Sequence, residues 1–352
     1  MCYPAVIEDA TGRKRFFNNA SIYRLHSFSI KYFYPMTEIH IYKTIEKALS
    51  FRRNYINNAH TNAYRLINSY GDNLPDITID IYGKAVLVQF FKTYEVCKKK
   101  EMYEAVRKIL APEFIIEKDR LKGKDVITRL ISGKEIPEDY VVFENEIPFS
   151  ISFSDGGGTG LYLDQRNNRK KVQSFASGKE VLNCFCYTSS FSVYACKGGA
   201  VKTTNIDLSR KAITWSKKNY SLNQIDINNH DFITGDVWEY FKIFQKKGRE
   251  FDMIILDPPS FSTSKSGAFT VEKDFPELVG MGLNILRENG ILVFSTNIAK
   301  VKISKMFQLL PKIKTHTKKL FKIIDISSQG LDFPLDGIYL NEPYLKFFLF
   351  SC

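Results

Sequence analysis

The sequence lacks the long apolar runs that mark membrane-spanning and secreted proteins. No stretch approaches the roughly twenty apolar residues that a helix needs to cross a bilayer. The N-terminal stretch carries Glu8 and Asp9 where a secretory signal has a basic segment and then an apolar one. These absences disfavour both classes, and we expect a cytoplasmic protein without membrane attachment.

Cysteine and histidine are few and dispersed. The six cysteines, at positions 2, 97, 184, 186, 196 and 352, form no CxxC pair, and the five histidines form no cluster. This pattern disfavours a disulfide scaffold, a zinc site and a histidine-based triad, and it favours reduced thiols. We therefore expect no bound metal.

Acidic residues are in deficit. The chain has 50 Lys and Arg against 38 Asp and Glu, which gives a net charge of +12. Such a surplus favours a polyanionic partner, such as RNA, DNA or an acidic membrane. Charge alone does not choose among them, because many basic proteins bind no nucleic acid.

The 352 residues suffice for two domains, and the pattern of predicted helices and strands changes near the middle of the chain. Residues 1–40 show no regular period. Residues 41–150 predict a small α+β domain that contacts RNA, with helices over about 42–55 and 95–110 and several short strands between and after them.

Residues 151–352 alternate apolar strands with helical stretches over 190–197, 210–222, 237–246 and 272–287, which predicts a parallel sheet covered on both faces. The last two strand candidates, 320–327 and 344–350, have no helix between them and are expected to form an antiparallel hairpin. The predicted fold class is therefore α/β, a Rossmann-like sheet of the class I methyltransferase variant rather than that of a dehydrogenase. The five preceding strand candidates are 180–186, 201–207, 231–234, 251–257 and 290–295.

The connection after the first of these strands lacks the GxGxG turn of dinucleotide-binding proteins. It reads NCFCYTSS over 183–190, with Ser189 and Ser190 where glycine would ease the approach of a ligand to the backbone. A pyrophosphate favours the glycine-rich turn, whereas S-adenosylmethionine has no phosphate and tolerates a bulkier one. Taken alone, the segment is equally an ordinary strand–helix connection.

Carboxylates follow the next two strands. Asp207 can accept hydrogen bonds from both hydroxyls of a ribose, and Asp236 can hold an adenine amino group. Ligands of doubly wound sheets bind beyond the carboxyl ends of the strands. These two residues therefore predict a nucleoside-containing cofactor.

The fourth strand ends in Asp257-Pro258-Pro259-Ser260-Phe261. Two prolines fix the backbone and remove two N–H donors, so that the loop offers carbonyl acceptors. Such a loop can hold the amino group of a flipped base while Phe261 stacks on it. The alternative is a mere strand terminator, and the register with Asp207 and Asp236 favours the catalytic interpretation.

A glycine-rich segment, 156–166, precedes the first strand. Its glycines permit a mobile loop from which Tyr162, Gln165 and Arg166 could reach over a cofactor. A flexible hinge between domains is the alternative interpretation.

Together these segments resemble a family of 23S ribosomal RNA methyltransferases that contains cytosine-5 and guanine-N7 enzymes. The resemblance covers roughly 42–352, and it rests on TNAYRLINSYGDNLPDITIDIYG, TGLYLDQRNNR, VLNCFCYTSSFSVYA, the Asp207 strand, GDVWEYF, FDMIILDPPSFSTSK and GILVFSTN. It implies S-adenosylmethionine as cofactor and a class I fold. The candidate cofactor-binding residues are Tyr162, Gln165, Arg166, Asn183, Tyr187, Thr188, Ser189, Asp207, Leu208, Asp236, Val237 and Asp257.

The chain departs from this family in two respects. Family members usually begin with an RNA-binding PUA domain, and 1–40 are too few residues for a complete one. The cytosine-5 enzymes also carry a cysteine at the end of the fifth strand, where this chain reads Phe-Ser-Thr-Asn over 294–297. Methylation of cytosine C5 requires a thiolate, and the segment is more similar to the guanine-N7 branch. A base nitrogen is therefore the expected target.

Basic residues near the expected site are candidates for RNA contact. Lysines at 300, 302, 305, 312, 314, 318, 319 and 322 follow one another without an acid, and a second cluster surrounds residue 169. The alternative for each is a solvated helix face. The predicted RNA-binding residues are Arg166, Arg169, Lys170, Lys265, Lys300 and Lys302.

Four functions remain open at this point. The first is a methyltransferase of a 23S ribosomal RNA nitrogen, with Asp257, Pro258, Pro259 and Phe261 as its catalytic residues. The others are an RNA cytosine-5 methyltransferase, a DNA adenine methyltransferase and a non-catalytic RNA-binding protein. The sequence does not specify an oligomeric state, and a homodimer is compatible with it.

Overall fold

The computed structural model describes residues 5–8, 14–17, 38–57, 59–154, 158–259, 263–264, 267–268, 270–336 and 342–352. Outside these ranges lie the sequence candidates Phe261 and Lys265 and the part of the glycine-rich segment before Gly158. Within the N-terminal segment, β1 (Ala5–Glu8) and β2 (Lys14–Phe17) form an antiparallel pair.

A five-stranded sheet and two helices occupy the next part of the chain. Its strands lie in chain order and are antiparallel, except that β5 and β6 run parallel and are joined by a helical crossover. The elements are α1 (Glu38–Arg53), β3 (Ala63–Asn68), β4 (Ile77–Tyr82), β5 (Ala85–Phe90), α2 (Val96–Leu110), β6 (Phe114–Asp119) and β7 (Ile127–Ser132).

The two faces of this five-stranded sheet differ in character. Successive side chains of a strand point to opposite faces, and the isoleucines of β4 join a buried cluster with residues of α1 and α2. On the other face, Tyr82 and Leu87 join a cluster with Phe149 and Leu163 from the second half of the chain. Both faces of β4 and β5 are therefore buried, although one of them carries polar side chains.

After a short hairpin of β8 (Val141–Glu144) and β9 (Ile147–Ser150), the second half of the chain forms a seven-stranded sheet. The strands of the sheet are β10 (Glu180–Cys184), β11 (Lys202–Asp207), β12 (Asp231–Thr234), β13 (Phe251–Leu256), β16 (Leu286–Thr296), β17 (Lys322–Ser327) and β18 (Lys346–Ser351). Between β13 and β16, the short strands β14 (Thr263–Ser264) and β15 (Gly267–Ala268) pair with each other.

The strand order β12-β11-β10-β13-β16-β18-β17 confirms the predicted fold class. The first five strands run parallel, and β18 pairs antiparallel with both β16 and β17. The direction of winding reverses between β10 and β13, which is where ligands of such sheets bind. The predicted C-terminal hairpin therefore closes one edge of the sheet, and the expected site lies at its centre.

Among the described residues, six helices cover this sheet on both faces. They are α3 (Arg166–Phe175), α4 (Ser190–Lys197), α5 (Arg210–Leu222), α6 (Val237–Lys246), α7 (Val271–Asn284) and α8 (Ile303–Ile313). Leu182 and Ile254 of the sheet lie in a core cluster with residues of α6, α7 and α8. Val181 and Ile255 lie in another cluster with residues of α3 and α4. Of the six helices, α3 and α8 were not predicted.

The segment after β17 ties the two sheets together through the buried Asp332. Its carboxylate accepts hydrogen bonds from the guanidinium of Arg166 at 2.6 and 3.1 Å and from the backbone N–H of Arg65 at 3.3 Å. Its backbone carbonyl accepts from Nη2 of Arg52 at 2.9 Å. One buried acid therefore contacts α1 and β3 on one side and α3 on the other.

Candidate functional site

Asp207, at the end of β11, lies where the strand order predicts ligand contacts. Its Oδ2 accepts a hydrogen bond from the N–H of Tyr187 at 2.9 Å, and its Oδ1 accepts from the N–H of Ser209 at 2.8 Å. Partial burial raises the pKa of this carboxyl, and the two backbone N–H groups oppose that rise. The carboxylate is therefore held in one orientation and keeps lone pairs for a ligand.

The turn between β10 and α4 places three non-glycine residues in the left-handed region. Phe185, Tyr187 and Ser189 have φ values of 56°, 49° and 59°. Their i, i+2, i+4 spacing is that of the glycines in a GxGxG turn, so the backbone takes a glycine-like course without glycine. Each residue costs about 1–2 kcal/mol in this conformation, and strain of this kind clusters at ligand sites.

Hydrogen bonds to the preceding loop hold this strained turn. The N–H of Gly160 donates to the Tyr187 hydroxyl at 3.0 Å, and Oγ1 of Thr188 donates to the Gly160 carbonyl at 2.6 Å. The side chains of Asn183 and Ser189 are buried and bonded to serine hydroxyls of α4 and α5. The side chains of three predicted cofactor-binding residues therefore hold the shape of the turn: Asn183, Thr188 and Ser189.

Asp236 and its neighbours lie at the end of the third parallel strand. Asp236 caps α6, because its Oδ1 accepts from the N–H groups of Trp238 and Glu239 at 2.8 and 3.2 Å, and its Oδ2 can accept a further hydrogen bond. Val237 is buried in the core beneath the sheet, which directs its side chain away from a ligand. Leu208, by contrast, is 53% exposed next to Asp207.

Asp257 follows β13 and is partly buried. Gln165 lies 3.5 Å from its Oδ2 and donates a hydrogen bond of 2.7 Å to the hydroxyl of Ser295 on β16. Burial raises the pKa of Asp257 to about 6, the bond to Ser295 lowers it, and the charge of Asp164 raises it. Pro258 is buried and Pro259 is exposed, so the Asp-Pro-Pro segment passes from the interior to the surface after β13.

Tyr162 stands between the loop and the strand ends. Its ring is 49% exposed and lies 5.3 Å, between centroids, from the ring of Tyr187. Burial raises the pKa of the Tyr162 hydroxyl, as do the charges of Asp257, Asp164 and Asp207. The strand ends and this loop therefore converge on one site.

Two of the predicted RNA contacts are corrected by their burial. Arg166 is paired with Asp332 at 2.6 Å and Arg169 with Glu144 at 2.7 Å, and both guanidinium groups are almost fully enclosed. A buried arginine that is already paired with a carboxylate offers no donor to a phosphate in solution. The enclosed positions of these two guanidinium groups correct the prediction that they contact RNA, whereas contact of Arg166 with the cofactor stays a prediction.

The remaining basic candidates that the structure describes lie at the surface. Lys170 on α3 is exposed, as are Lys300 and Lys302 between β16 and α8. Lys319, further along the same basic stretch, forms an ion pair with Glu250 at 3.6 Å. Exposed lysines therefore flank the end of β16, close in sequence to Ser295.

The described cysteines of the seven-stranded sheet are not poised as nucleophiles. Cys184 and Cys186 are buried at the end of β10, and burial raises the pKa of each thiol. Burial also raises the pKa of Cys196 on α4 to about 11. Thiolate is the reactive form of cysteine, so these three thiols are inert at neutral pH.

The described part of the chain holds no group of three or more His, Cys, Asp or Glu side chains arranged to bind a metal ion. Among the same residues, no helix combines the length and the apolar character needed to cross a membrane.

Comparison with known families yields a match over most of the chain. The model of a family described as S-adenosylmethionine-dependent methyltransferases matches residues 68–336. A proposed ribosomal RNA large subunit methyltransferase of Bacillus subtilis, YwbD, is 32% identical over 86% of this chain and 78% of its own length. Ribosomal RNA large subunit methyltransferase I of Aeromonas salmonicida is 31% identical over 80% of this chain and 73% of its own.

Solved structures give the same result. A proposed methyltransferase crystallised with S-adenosylhomocysteine (SAH) is 33% identical and superposes with a TM-score of 0.83, covering 90% of this chain and 82% of its own. A proposed S-adenosylmethionine-dependent methyltransferase from Streptococcus mutans is 32% identical, with a TM-score of 0.83 over 92% of this chain and 84% of its own.

Proposed function

Because the chain belongs to the family of S-adenosylmethionine-dependent methyltransferases, we propose that it methylates a base nitrogen of 23S ribosomal RNA. The target is guanine N7 or an exocyclic amine. The observation that carries this proposal is the carboxylate and Asp-Pro-Pro segment at the end of β13, beside strand ends suited to the cofactor. No cysteine stands in the segments that directly follow β13 and β16.

The cofactor fits the acceptors at the strand ends. Asp207 would accept the ribose hydroxyls, and Oδ2 of Asp236 would accept the adenine amino group. The turn of Tyr187 and Thr188 supplies backbone and ring surface rather than phosphate-binding glycines. When bound, S-adenosylmethionine supplies an electrophilic methyl group at the ends of β10 and β13.

The proposed RNA substrate rests on relatives and on charge. Relatives over 80% or more of the chain are named as enzymes of the ribosomal RNA large subunit. The net charge of +12 and the exposed Lys170, Lys300 and Lys302 suit a phosphate backbone. Lysines bound to phosphates would make affinity fall with salt.

A nitrogen target asks less of the protein than cytosine C5. A nitrogen lone pair attacks a methyl group directly, so that catalysis is mostly positioning with water excluded. Guanine N7 carries no proton to remove. For an exocyclic amine, the Asp257 carboxylate or the Pro258 carbonyl would accept the N–H hydrogen bond.

The first prediction concerns Asp207. The Asp207→Asn variant keeps one acceptor but loses the charge, and we expect the Kd for S-adenosylmethionine to rise by about 10- to 100-fold, as for the loss of a charge-assisted hydrogen bond. Isothermal titration calorimetry measures this. Asp139→Asn is a matched control, since Asp139 is 86% exposed. An unchanged Kd in Asp207→Asn would remove Asp207 from the cofactor site.

The second prediction concerns pH. Because burial raises the pKa of Asp257 to about 6, its carboxylate is protonated below that pH and ionised above it. If the ionised form accepts the substrate N–H, kcat/KM for RNA rises through pH 6 and is level by pH 8, since this ratio reports groups of the free enzyme. A flat profile between pH 5 and 8, with circular dichroism unchanged, would contradict the assignment.

Transfer of a labelled methyl group tests the proposal itself. Unmodified 23S ribosomal RNA is expected to accept label from S-adenosylmethionine, and double-stranded DNA of the same total length is not. Label in DNA alone would favour the DNA adenine alternative. Binding of RNA without any transfer would favour a non-catalytic protein.

A further inference from the structure

A cavity of about 250 Å³ lies between the five-stranded sheet and the loop that leads into α3. Its floor is the face of β4 and β5 that points toward the seven-stranded sheet, and Leu161, Tyr162 and Leu163 form the opposite wall. Phe333, from the segment after β17, closes one side. The cavity therefore adjoins both halves of the chain and belongs to neither alone.

The floor of the cavity carries a fixed polar network. The Asp80 carboxylate accepts hydrogen bonds from Nε and Nη2 of Arg65 and, at 3.0 Å, from Nε2 of Gln89. The amide oxygen of Gln89 in turn accepts from Nε of Arg120 at 2.6 Å. Burying polar groups between two layers costs free energy unless each group is hydrogen-bonded. A sheet face that served only for packing would carry apolar residues here.

Two aromatic side chains lie exposed at the cavity. Phe91, which follows β5, is 43% exposed, and Tyr162 on the opposite wall is 49% exposed. Exposed aromatic rings are the usual platform on which proteins stack an unpaired base. A guanidinium such as that of Arg120 adds a planar cationic surface of the kind that favours nucleic acid.

The cavity also shares residues with the predicted cofactor site. Tyr187 lines it, and the N–H of the same residue donates to Asp207. Tyr162 lines it as well, and the charge of Asp257 acts on its hydroxyl. A planar ligand in the cavity would therefore lie beside the strand ends at which methyl transfer is proposed.

We propose that this cavity receives the target base of the RNA, flipped out of its strand and stacked against Phe91 and Tyr162. The volume is below the roughly 300–1,000 Å³ of pockets for drug-sized ligands and suits a single base. The network of Asp80, Gln89 and Arg120 forms a fixed polar floor beneath that base. The inference rests on the proposed function, since it presupposes an RNA substrate.

Substitution of Phe91 tests the stacking. With unmodified 23S ribosomal RNA as the probe, Phe91→Ala should raise the KM for RNA by about tenfold or more, the factor that follows from losing one base–aromatic stack. The Kd for S-adenosylmethionine should stay unchanged, and Phe91→Trp should restore the KM. Phe143→Ala is the matched control, because Phe143 is 45% exposed and lies on β8, outside the cavity lining.

Crosslinking locates the base directly. A photoreactive benzoylphenylalanine at position 91 should crosslink to the methylated nucleotide or its immediate neighbours, whereas the same group at position 143 should not. Normal KM in Phe91→Ala, or crosslinks confined to distant nucleotides, would overturn the inference while wild-type methylation of the RNA continues. Absence of wild-type methylation would instead show that the proposed function has failed.

Discussion

Replacing Asp257 by asparagine should lower the rate of methyl transfer to an exocyclic amine by about 10²- to 10⁴-fold, the range for loss of a positioned proton acceptor. Transfer to guanine N7, which has no proton to remove, should fall far less. Asparagine has nearly the same size, and it retains an oxygen toward Gln165. It cannot carry the negative charge that would accept the N–H of an exocyclic amine. The prediction therefore separates charge from shape at the end of β13.

Single-turnover kinetics with saturating cofactor measure this effect on the chemical step. The melting temperature and the Kd for S-adenosylmethionine should change little, because Asp257 is only partly buried and Asp207 and Asp236 are left intact. Transfer to an exocyclic amine within about threefold of wild type would show that Asp257 is a strand terminator. A loss of cofactor affinity equal to the loss of rate would assign it to binding instead.

Removal of the Glu144 carboxylate should destabilise the fold by about 3–5 kcal/mol, the usual effect of stranding one partner of a buried ion pair. Arg169 and Glu144 are enclosed, with hydrogen bonds of 2.8 and 2.7 Å between them. The hydroxyl of Tyr194 also donates to the Glu144 carboxylate, at 2.9 Å. Glu144→Ala would leave the Arg169 charge without its carboxylate in a nearly dry site.

Urea unfolding of Glu144→Ala and Glu146→Ala provides the comparison. The two glutamates lie two residues apart at the turn of the β8–β9 hairpin, but the Glu146 carboxylate is 69% exposed beside His60. Glu146→Ala should therefore change the free energy of unfolding by less than about 1 kcal/mol. Equal effects of the two substitutions would contradict the structural role of the Arg169–Glu144 pair.

The seven-stranded sheet was predictable because its signals are local. Apolar runs of strand length alternate with helices, and the missing helix before β18 already indicated the antiparallel hairpin. Asp207 is the last residue of β11, Asp257 directly follows β13, and Asp236 lies two residues after β12. The topology of parallel strands places their carboxyl ends at one edge of the sheet, so sequence position alone was enough to bring these residues together.

The roles of Arg166 and Arg169 were not predictable, since their partners are distant in the sequence. Asp332 lies 166 residues from Arg166, and Glu144 lies 25 residues from Arg169. Arg166, Arg169 and Val172 lie at helical spacing on the buried face of α3, whereas Lys170 lies on the exposed face. A basic cluster in the sequence was therefore divided by the helix into structural and surface members.

The turn after β10 shows a different limit. A sequence search for glycine finds none at 185, 187 or 189, although all three residues adopt the left-handed backbone that glycine favours. Tertiary hydrogen bonds from Gly160 and to Asp207 over-determine this conformation. Such bonds connect segments that no local pattern relates.

The polar floor of the cavity was not predictable from the sequence for a similar reason. Arg65, Asp80, Gln89 and Arg120 come from or directly follow four different strands, and each is an unremarkable polar residue in its own segment. Only the pairing of β3 with β4, β4 with β5 and β5 with β6 brings them together.

Mass mapping of modified nucleosides in 23S ribosomal RNA, from cells with and without the protein, tests the central claim most directly. We predict that one methylated base nitrogen, guanine N7 or an exocyclic amine, is absent without the protein and is restored by the wild-type chain. Where that nitrogen is an exocyclic amine, Asp257→Asn does not restore it. Loss of a 5-methylcytidine instead would contradict the inference from the missing cysteine. An unchanged set of methylated nucleosides would contradict the proposed substrate.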